Sequence, residues 1–345
     1  MTVRDTYSHH MNAKIAVSDT VGPGSEIKRQ AELAADLGYD AFWTQELIDT
    51  KDGITTATAL GAWGIDLDIV VGLPSPYTRH PAMIATEVCS VDDYADGRVK
   101  GLAVATSAPE VVQKLGKSLD RPIKRMSETH DILRSIIRTG RCDYDGDIYT
   151  MDNWKLRSEF HGDVPLYIAG MGPKMRELAA AKFDGLWLPF NATVPFVADV
   201  VEEGDEMLVE QFDRDPAEFL YALNIPTAVV DDGSELSVDE QVRDVLEFTA
   251  WHCCSDHIKP LVERAGVDYD IQALREAVRG NDYEAMKAIV DREFLNTVAA
   301  VGSPETVRDR YREYVDAGIE CPVIYNYGPE EVKLRNVEEL APEKF

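Results

Sequence analysis

The chain has 345 residues, of which 45% are hydrophobic, and 62 acidic against 35 basic side chains give it a formal net charge of −27. Such a surface repels nucleic-acid phosphates and anionic lipid, so neither is expected as a partner. No apolar stretch approaches the ~20 residues that span a bilayer. Met1–Asn12, with Arg4, Asp5, His9 and His10, lacks the apolar core of a signal peptide, and a cytoplasmic protein is expected.

Acidic residues are interleaved with apolar periodicity, as in Val201-Glu202-Glu203 and Glu247-Phe248, which marks a folded, densely carboxylated surface. That suits a halophilic host, where a Debye length of ~3 Å at molar salt screens self-repulsion; a merely acidic mesophile protein is the alternative. Five cysteines (Cys89, Cys142, Cys253, Cys254, Cys321) are an odd count and are expected to be reduced.

In chain order, Ala13–Ser18 reads as a strand. Ser25 reads as a cap for a helix with Ile27, Ala31, Ala34 and Ala35 on one face, and Gly38 stands where a left-handed C-terminal residue belongs. Ala41–Thr44 is the second strand, Ile54–Ala62 its helix, Ile69–Leu73 the third strand, and Pro81–Asp93 the next helix. Val99–Ala105 is the fourth strand, and a longer helix runs from Pro122 to Ile137. Arg141–Tyr149, turning at Asp145-Gly146, reads as a small hairpin. Leu166–Ala169, Gly185–Leu188 and Tyr221–Ala228 are strands five to seven. A helical stretch over about 236–300 then interrupts the rhythm with faces such as Val242, Val245, Phe248 and Ala285, Ile289, Phe294, Val298. In the last unit Ser303 caps, Pro304 sits at N1, Gly318 ends the helix and Val323–Tyr327 is the eighth strand. Eight strands alternating with helices predict a single (β/α)8 barrel over residues 1–345, with a helical insertion after strand seven.

Active sites of such barrels lie where the strands end. Strand five runs into Gly170-Met171-Gly172-Pro173-Lys174, where glycines allow close backbone approach and a helix N-terminus suits a phosphate; an ordinary tight turn is the alternative. Strand three runs into Gly72-Leu-Pro-Ser-Pro-Tyr-Thr-Arg-His-Pro81, a stiff wall whose Arg79 and His80 contact substrate or else pair with surface acids. Strand two ends in Trp43-Thr-Gln-Glu46; Glu46 is a general acid/base if burial raises its pKa, or else a cap or a solvated side chain. Strand four ends in Val104-Ala-Thr-Ser-Ala108. Trp251-His-Cys-Cys-Ser-Asp-His257 spaces its histidines i,i+5, off one helix face, so no metal is expected, and no Gly-x-Ser-x-Gly elbow occurs.

Pro76-Tyr-Thr-Arg-His-Pro81 resembles a signature of the archaeal methylenetetrahydromethanopterin reductase family and its relatives, coenzyme F420-dependent members of the luciferase-like barrel class. Similar also are Leu37-Gly-Tyr-Asp-Ala-Phe-Trp43, Val91-Asp-Asp-Tyr-Ala-Asp-Gly-Arg98, the Gly170–Pro173 loop with Ala181-Lys-Phe-Asp-Gly-Leu-Trp187, and Val301-Gly-Ser-Pro-Glu-Thr-Val307. The resemblance implies that Gly170, Met171, Gly172 and Pro173 surround a cofactor phosphate, with Lys174 beside it. It also implies that Gly72-Leu73 forms a bulge behind the cofactor ring, commonly cis in this family. The relatives place an acid-His pair where this chain has Gln45 and Glu46. Strand four ends at the cofactor-side positions Thr106 and Ser107; there the relatives carry glycines where this chain has Ala103 and Ala105, and an acid aligned with Ser107, Glu110 being out of register.

The implied activity is F420-dependent hydride transfer to or from a small organic substrate, of the methylene-tetrahydropterin or folate class in one-carbon metabolism. An FMN-dependent monooxygenase and a non-catalytic flavin-binding barrel are the alternatives, and a homo-oligomer (dimer or tetramer) is expected.

Overall fold

Short apolar runs separated by capped helices fold here as the alternation predicts. The computed structural model describes residues 14–47, 50–107, 109–158 and 160–345, and the side chains of 109–111 stay outside that description. Ala13, His9, His10, Ala108 and the Glu110 side chain therefore lie beyond the described part.

The first half runs β1 (Ala16–Ser18), α1 (Gly24–Asp36), β2 (Ala41–Trp43), α2 (Gly53–Trp63), β3 (Asp68–Val71), α3 (Pro81–Tyr94), β4 (Val99–Val104), α4 (Pro109–Lys114) and α5 (Pro122–Thr139). A hairpin of β5 (Arg141–Asp145) and β6 (Thr150–Lys155) follows, then β7 (Leu166–Ala169), α6 (Pro173–Lys182), β8 (Gly185–Leu188), α7 (Val194–Phe212) and β9 (Leu220–Val229). The insertion is α8 (Val238–Cys253), α9 (Lys259–Arg264), α10 (Ile271–Arg279), α11 (Tyr283–Ile289) and α12 (Arg292–Val298). The chain closes with β10 (Ala300–Gly302), α13 (Pro304–Asp316), β11 (Cys321–Asn326) and α14 (Glu330–Glu339).

Eight parallel strands close in the order β1-β2-β3-β4-β7-β8-β9-β11 and back to β1. The barrel is thus the (β/α)8 fold expected from the sequence. Its strands are buried on both faces, which is why they read as continuous apolar runs. The lumen alternates small with large: Ala16, Ala41, Ala103 and Ala222 leave room for Trp43, Tyr167 and Trp187. Trp43 stacks on Tyr167 at 6.0 Å between centroids and meets Trp187 edge-on at 4.7 Å. β9 runs past the barrel and pairs with β10, and helices α8–α12 bury their faces in a separate hydrophobic cluster around Val245, Leu274 and Phe294.

Two boundaries differ from the sequence reading. Helix α1 begins at Gly24 after an N-cap Pro23 that offers no side-chain bond, so Ser25 lies inside the first turn. The hairpin continues to Lys155, its loop gripped by the buried Glu128, whose carboxylate accepts from the N–H groups of Asp147, Ile148 and Tyr149 at 2.9, 3.0 and 3.0 Å. Gly38 and Gly318 adopt positive φ (78° and 103°) at helix ends, as their positions predicted.

Candidate active site

The mouth of the barrel is built upward from its aromatic floor. The peptide Gly72–Leu73 directly after β3 is cis. A Cβ on Gly72 would stand 2.6 Å from the Trp187 ring, so only glycine lets this backbone rest on the floor. Beside it, Gln45 is buried after β2, and its Oε1 accepts from Asn224 Nδ2 of β9 at 2.5 Å, a strut across the lumen.

Glu46 does not stand free. Arg79 donates to it at 2.5 Å, pairs also with Asp52, and lies 3.4 Å from Glu87. The Glu46 side chain is only 7% exposed. Burial pushes its carboxyl above the usual range, and Arg79 pulls it back without cancelling the rise. Burial also acts upward on Asp52, but the Thr55 N–H and Arg79 outweigh it and hold that carboxyl low. The cluster therefore sets a buried carboxyl of raised pKa beside the mouth, held by a guanidinium. Arg79 is committed to carboxylates, the second of the two readings its sequence allowed.

His80 caps helix α3, its Nδ1 accepting from Ala82 N at 3.1 Å, and its ring meets Tyr149 edge-on. Burial lowers its pKa, in keeping with a neutral ring that accepts. The rest of the proline-rich wall is tied down from outside. Tyr149 Oη donates to Pro76 O at 3.1 Å, Lys117 Nζ to Tyr77 O at 2.6 Å, and Ser75 Oγ to Thr106 O at 3.1 Å. Ser107, next to Thr106, has φ +65°. Thr106 thus ties the end of β4 to the proline-rich wall through Ser75.

After β7, Gly170-Met171-Gly172 leads into α6 with Gly172 as N-cap and Pro173 at N1, and no side chain caps the first turn. A Cβ on Gly172 would meet nothing within 4 Å, so open space lies over this helix start. Lys174 is exposed and has no ion-pair partner among the described residues.

Residues that sequence reasoning passed over complete the mouth. Among the described residues, Ser18 Oγ, Asn191 Oδ1 and Asn224 Oδ1 are buried side-chain oxygens without a hydrogen-bond partner. They sit at the end of β1, just after β8, and on β9. Buried polar atoms are nearly always paired, so these open acceptors are free to meet a polar ligand; Glu87, Thr129 and Asp199 on the outer helices also carry buried oxygens without a hydrogen bond. The one sequence signal was Asn224, a lone amide inside the apolar run Tyr221–Ala228.

Floor, strut, carboxyl and open helix start together define a ligand-binding (β/α)8 barrel with its site at the strand ends. The luciferase-like monooxygenase family model matches residues 8–321, and the chain belongs to that family. It is 24% identical over 299 residues to the 5,10-methylenetetrahydromethanopterin reductase of Archaeoglobus fulgidus (85% of this chain, 87% of the relative). To the enzyme of that name from Methanolobus tindarius it is 26% identical over 300 residues (86% and 89%). The fold matches that of the coenzyme F420-dependent tetrahydromethanopterin reductase of Methanopyrus kandleri with a TM-score of 0.84 at 18% identity, over 96% of this chain and 99% of that one.

Proposed function

We propose that this protein is a coenzyme F420-dependent oxidoreductase that exchanges a hydride with a small organic substrate of the methylene-tetrahydropterin or folate class. The observation that carries this reading is the close approach of the Gly72 backbone to the Trp187 ring, together with the uncapped helix start at Gly170–Pro173 at the same end of the barrel. The residues fit such a cofactor. Gly72 and Leu73 offer backbone to a flat ring, Gly172 leaves room for a phosphate on the α6 N–H groups, and Lys174 adds a cation. The open acceptors Ser18 Oγ and Asn224 Oδ1 suit ring or substrate donors. When bound, the deazaflavin supplies a two-electron hydride couple.

The chain's own residues then orient, dry and protonate. The Trp43, Tyr167 and Trp187 floor excludes water from below. The Gln45–Asn224 strut fixes the depth of the mouth. Glu46, its pKa raised by burial and its carboxyl tethered by Arg79, is the proton relay of this proposal, with Gln45 as the adjoining polar contact. Thr106 braces the wall through Ser75, and Ser107 follows it toward the cofactor side.

The test is retention. Protein incubated with F420 or with FMN is passed through gel filtration and the visible absorption of the protein fraction is read. F420 is expected to co-elute. Retention of FMN alone would replace this reading with the FMN-dependent monooxygenase that the family description favours, and retention of neither would leave a different ligand for the mouth. We further infer a homo-oligomer formed through α2 and α3. Helix α2 carries no charged residue in a chain of net charge −27, and Met83 and Tyr94 on α3 are 51% and 62% exposed. Size-exclusion chromatography of Met83→Lys/Tyr94→Lys would read it as a shift to monomer.

A further inference from the structure

In the closed sheet β9 lies four strands from β3 in either direction, so β9 and its neighbours β8 and β11 face the Gly72–Leu73 wall across the mouth. On that side an aromatic cluster gathers from three elements. Phe190 follows β8, Phe248 and His252 lie one turn apart on the insertion helix α8, and Tyr325 and Tyr327 end β11. Phe190 is 4.6 Å from Tyr325, 5.1 Å from Phe248 and 5.3 Å from His252; Phe248 is 4.1 Å from His252 and 4.5 Å from Tyr327. Phe248 and Tyr325 are buried as backing, whereas Phe190, His252 and Tyr327 keep part of their surface open. Barrel closure does not need α8, yet that helix is locked by a Ser237–Glu240 capping box and by packing on β9.

His252 gives this wall a ring nitrogen able to read a ligand's edge by accepting. Its Nδ1 faces the Phe248 carbonyl oxygen at 2.9 Å, which requires Nδ1–H to donate. That bond fixes the tautomer and leaves Nε2 as the acceptor nitrogen of the ring. Burial lowers the imidazole to about 4, so it stays neutral at physiological pH.

We propose that Phe190, His252 and Tyr327 form the substrate side of the mouth, selecting a planar nitrogen heteroaromatic ring that stacks on the wall and donates an edge N–H to His252 Nε2. The proposal rests on the reading above in that the cofactor occupies the facing wall.

The test uses lumazine and its N-methylated form, which keeps the fused ring and loses the N–H donors. Binding is followed by quenching of tryptophan emission. Trp251, 52% exposed and edge-on to His252 at 4.7 Å, is the reporter, checked against Trp251→Phe. Wild-type protein, with and without F420, is expected to bind lumazine about 5- to 10-fold more tightly than the methylated ring, the span of one net hydrogen bond. His252→Phe is expected to erase that preference while F420 retention stays unchanged. Phe190→Ala is expected to weaken both ligands together. Equal affinity for the two rings in wild type, no binding of either, or a preference that survives in His252→Phe would overturn the proposal. Because the wild-type comparison stands by itself, a variant that fails to fold does not remove the test. Loss of F420 retention with the lumazine preference intact would count against the cofactor reading instead.

Discussion

The two ends of the barrel make opposite use of polar groups. A cavity of about 500 Å³ lies at the N-terminal end, lined by Lys14, Arg134, Arg138, Asp163, Asp184 and Glu320 among others. Its charges answer one another. Arg134 pairs with Asp184 and stands 3.4 Å from Asp163, Arg138 reaches Asp163 at 3.2 Å, and Asp184 also accepts from Leu166 N at 2.7 Å. Glu320 accepts from Tyr221 N at 3.0 Å. The C-terminal mouth leaves three buried acceptors, one helix start and Lys174 without partners among the described residues. The charges of the N-terminal cavity are largely spent on one another, whereas the C-terminal end keeps open acceptors, and on that contrast the proposed site is placed at the C-terminal end.

The sharpest way to break this contrast is Glu46→Gln. It keeps shape and hydrogen bonding but cannot deliver a proton, so F420-linked kcat should fall by ~10²–10⁴ with cofactor retention unchanged. Full turnover in the variant would make Glu46 a purely structural partner of Arg79. Gly172→Asp comes next. A carboxylate at this N-cap would bond the open N–H groups and repel a phosphate, so F420 affinity should drop by roughly 100-fold while thermal stability holds or rises slightly. An unchanged titration would move the phosphate elsewhere.

At the other end, Asp184→Ala should cost about 1.5–3 kcal/mol of stability, as for hydrogen bonds to charged groups, and leave F420 retention alone. Lost retention with a normal melting curve would show that the ends are coupled. Arg79→Met should act on pH. Turnover needs the protonated Glu46 and so declines as pH rises through its pKa. Removing the guanidinium takes away the pull toward lower values, so the decline should move to higher pH. A profile shifted to lower pH contradicts the assigned cause. Salt gives the gentlest test. With net charge −27, melting temperature should climb by several degrees from low to molar KCl, and the Asp184→Ala deficit should shrink as exposed ion pairs are screened. A flat curve would remove the argument for a halophilic host.

Much of the fold was legible because parallel barrel strands bury both faces and helices announce their ends. Ser303, Pro304 and Gly318 mark out α13 as the sequence predicts. Strand β10 was not legible: three residues, Ala300–Gly302, are too few to show a period, and only pairing with β9 makes them a strand. In the site, the glycine-rich turn before α6 was readable because it depends on local backbone, whereas the place of Gly72-Leu73 came only from the family resemblance. The commitment of Arg79 to Glu46 was not, since the partners are separated by 33 positions and meet only in the folded barrel. His252 read as half of an unlikely metal pair; its neighbours Phe190 and Tyr327 come from distant strands that no spacing rule connects.

Helices α8–α12 take no part in the hydrogen bonds that close the eight-stranded sheet, and they keep a hydrophobic cluster of their own. The segment is accordingly a cassette. Replacing the insertion between Val229 and Ala300 would change one side of the mouth while leaving the eight-stranded ladder intact, provided its ties to the barrel at Asn191 and Arg335 are kept.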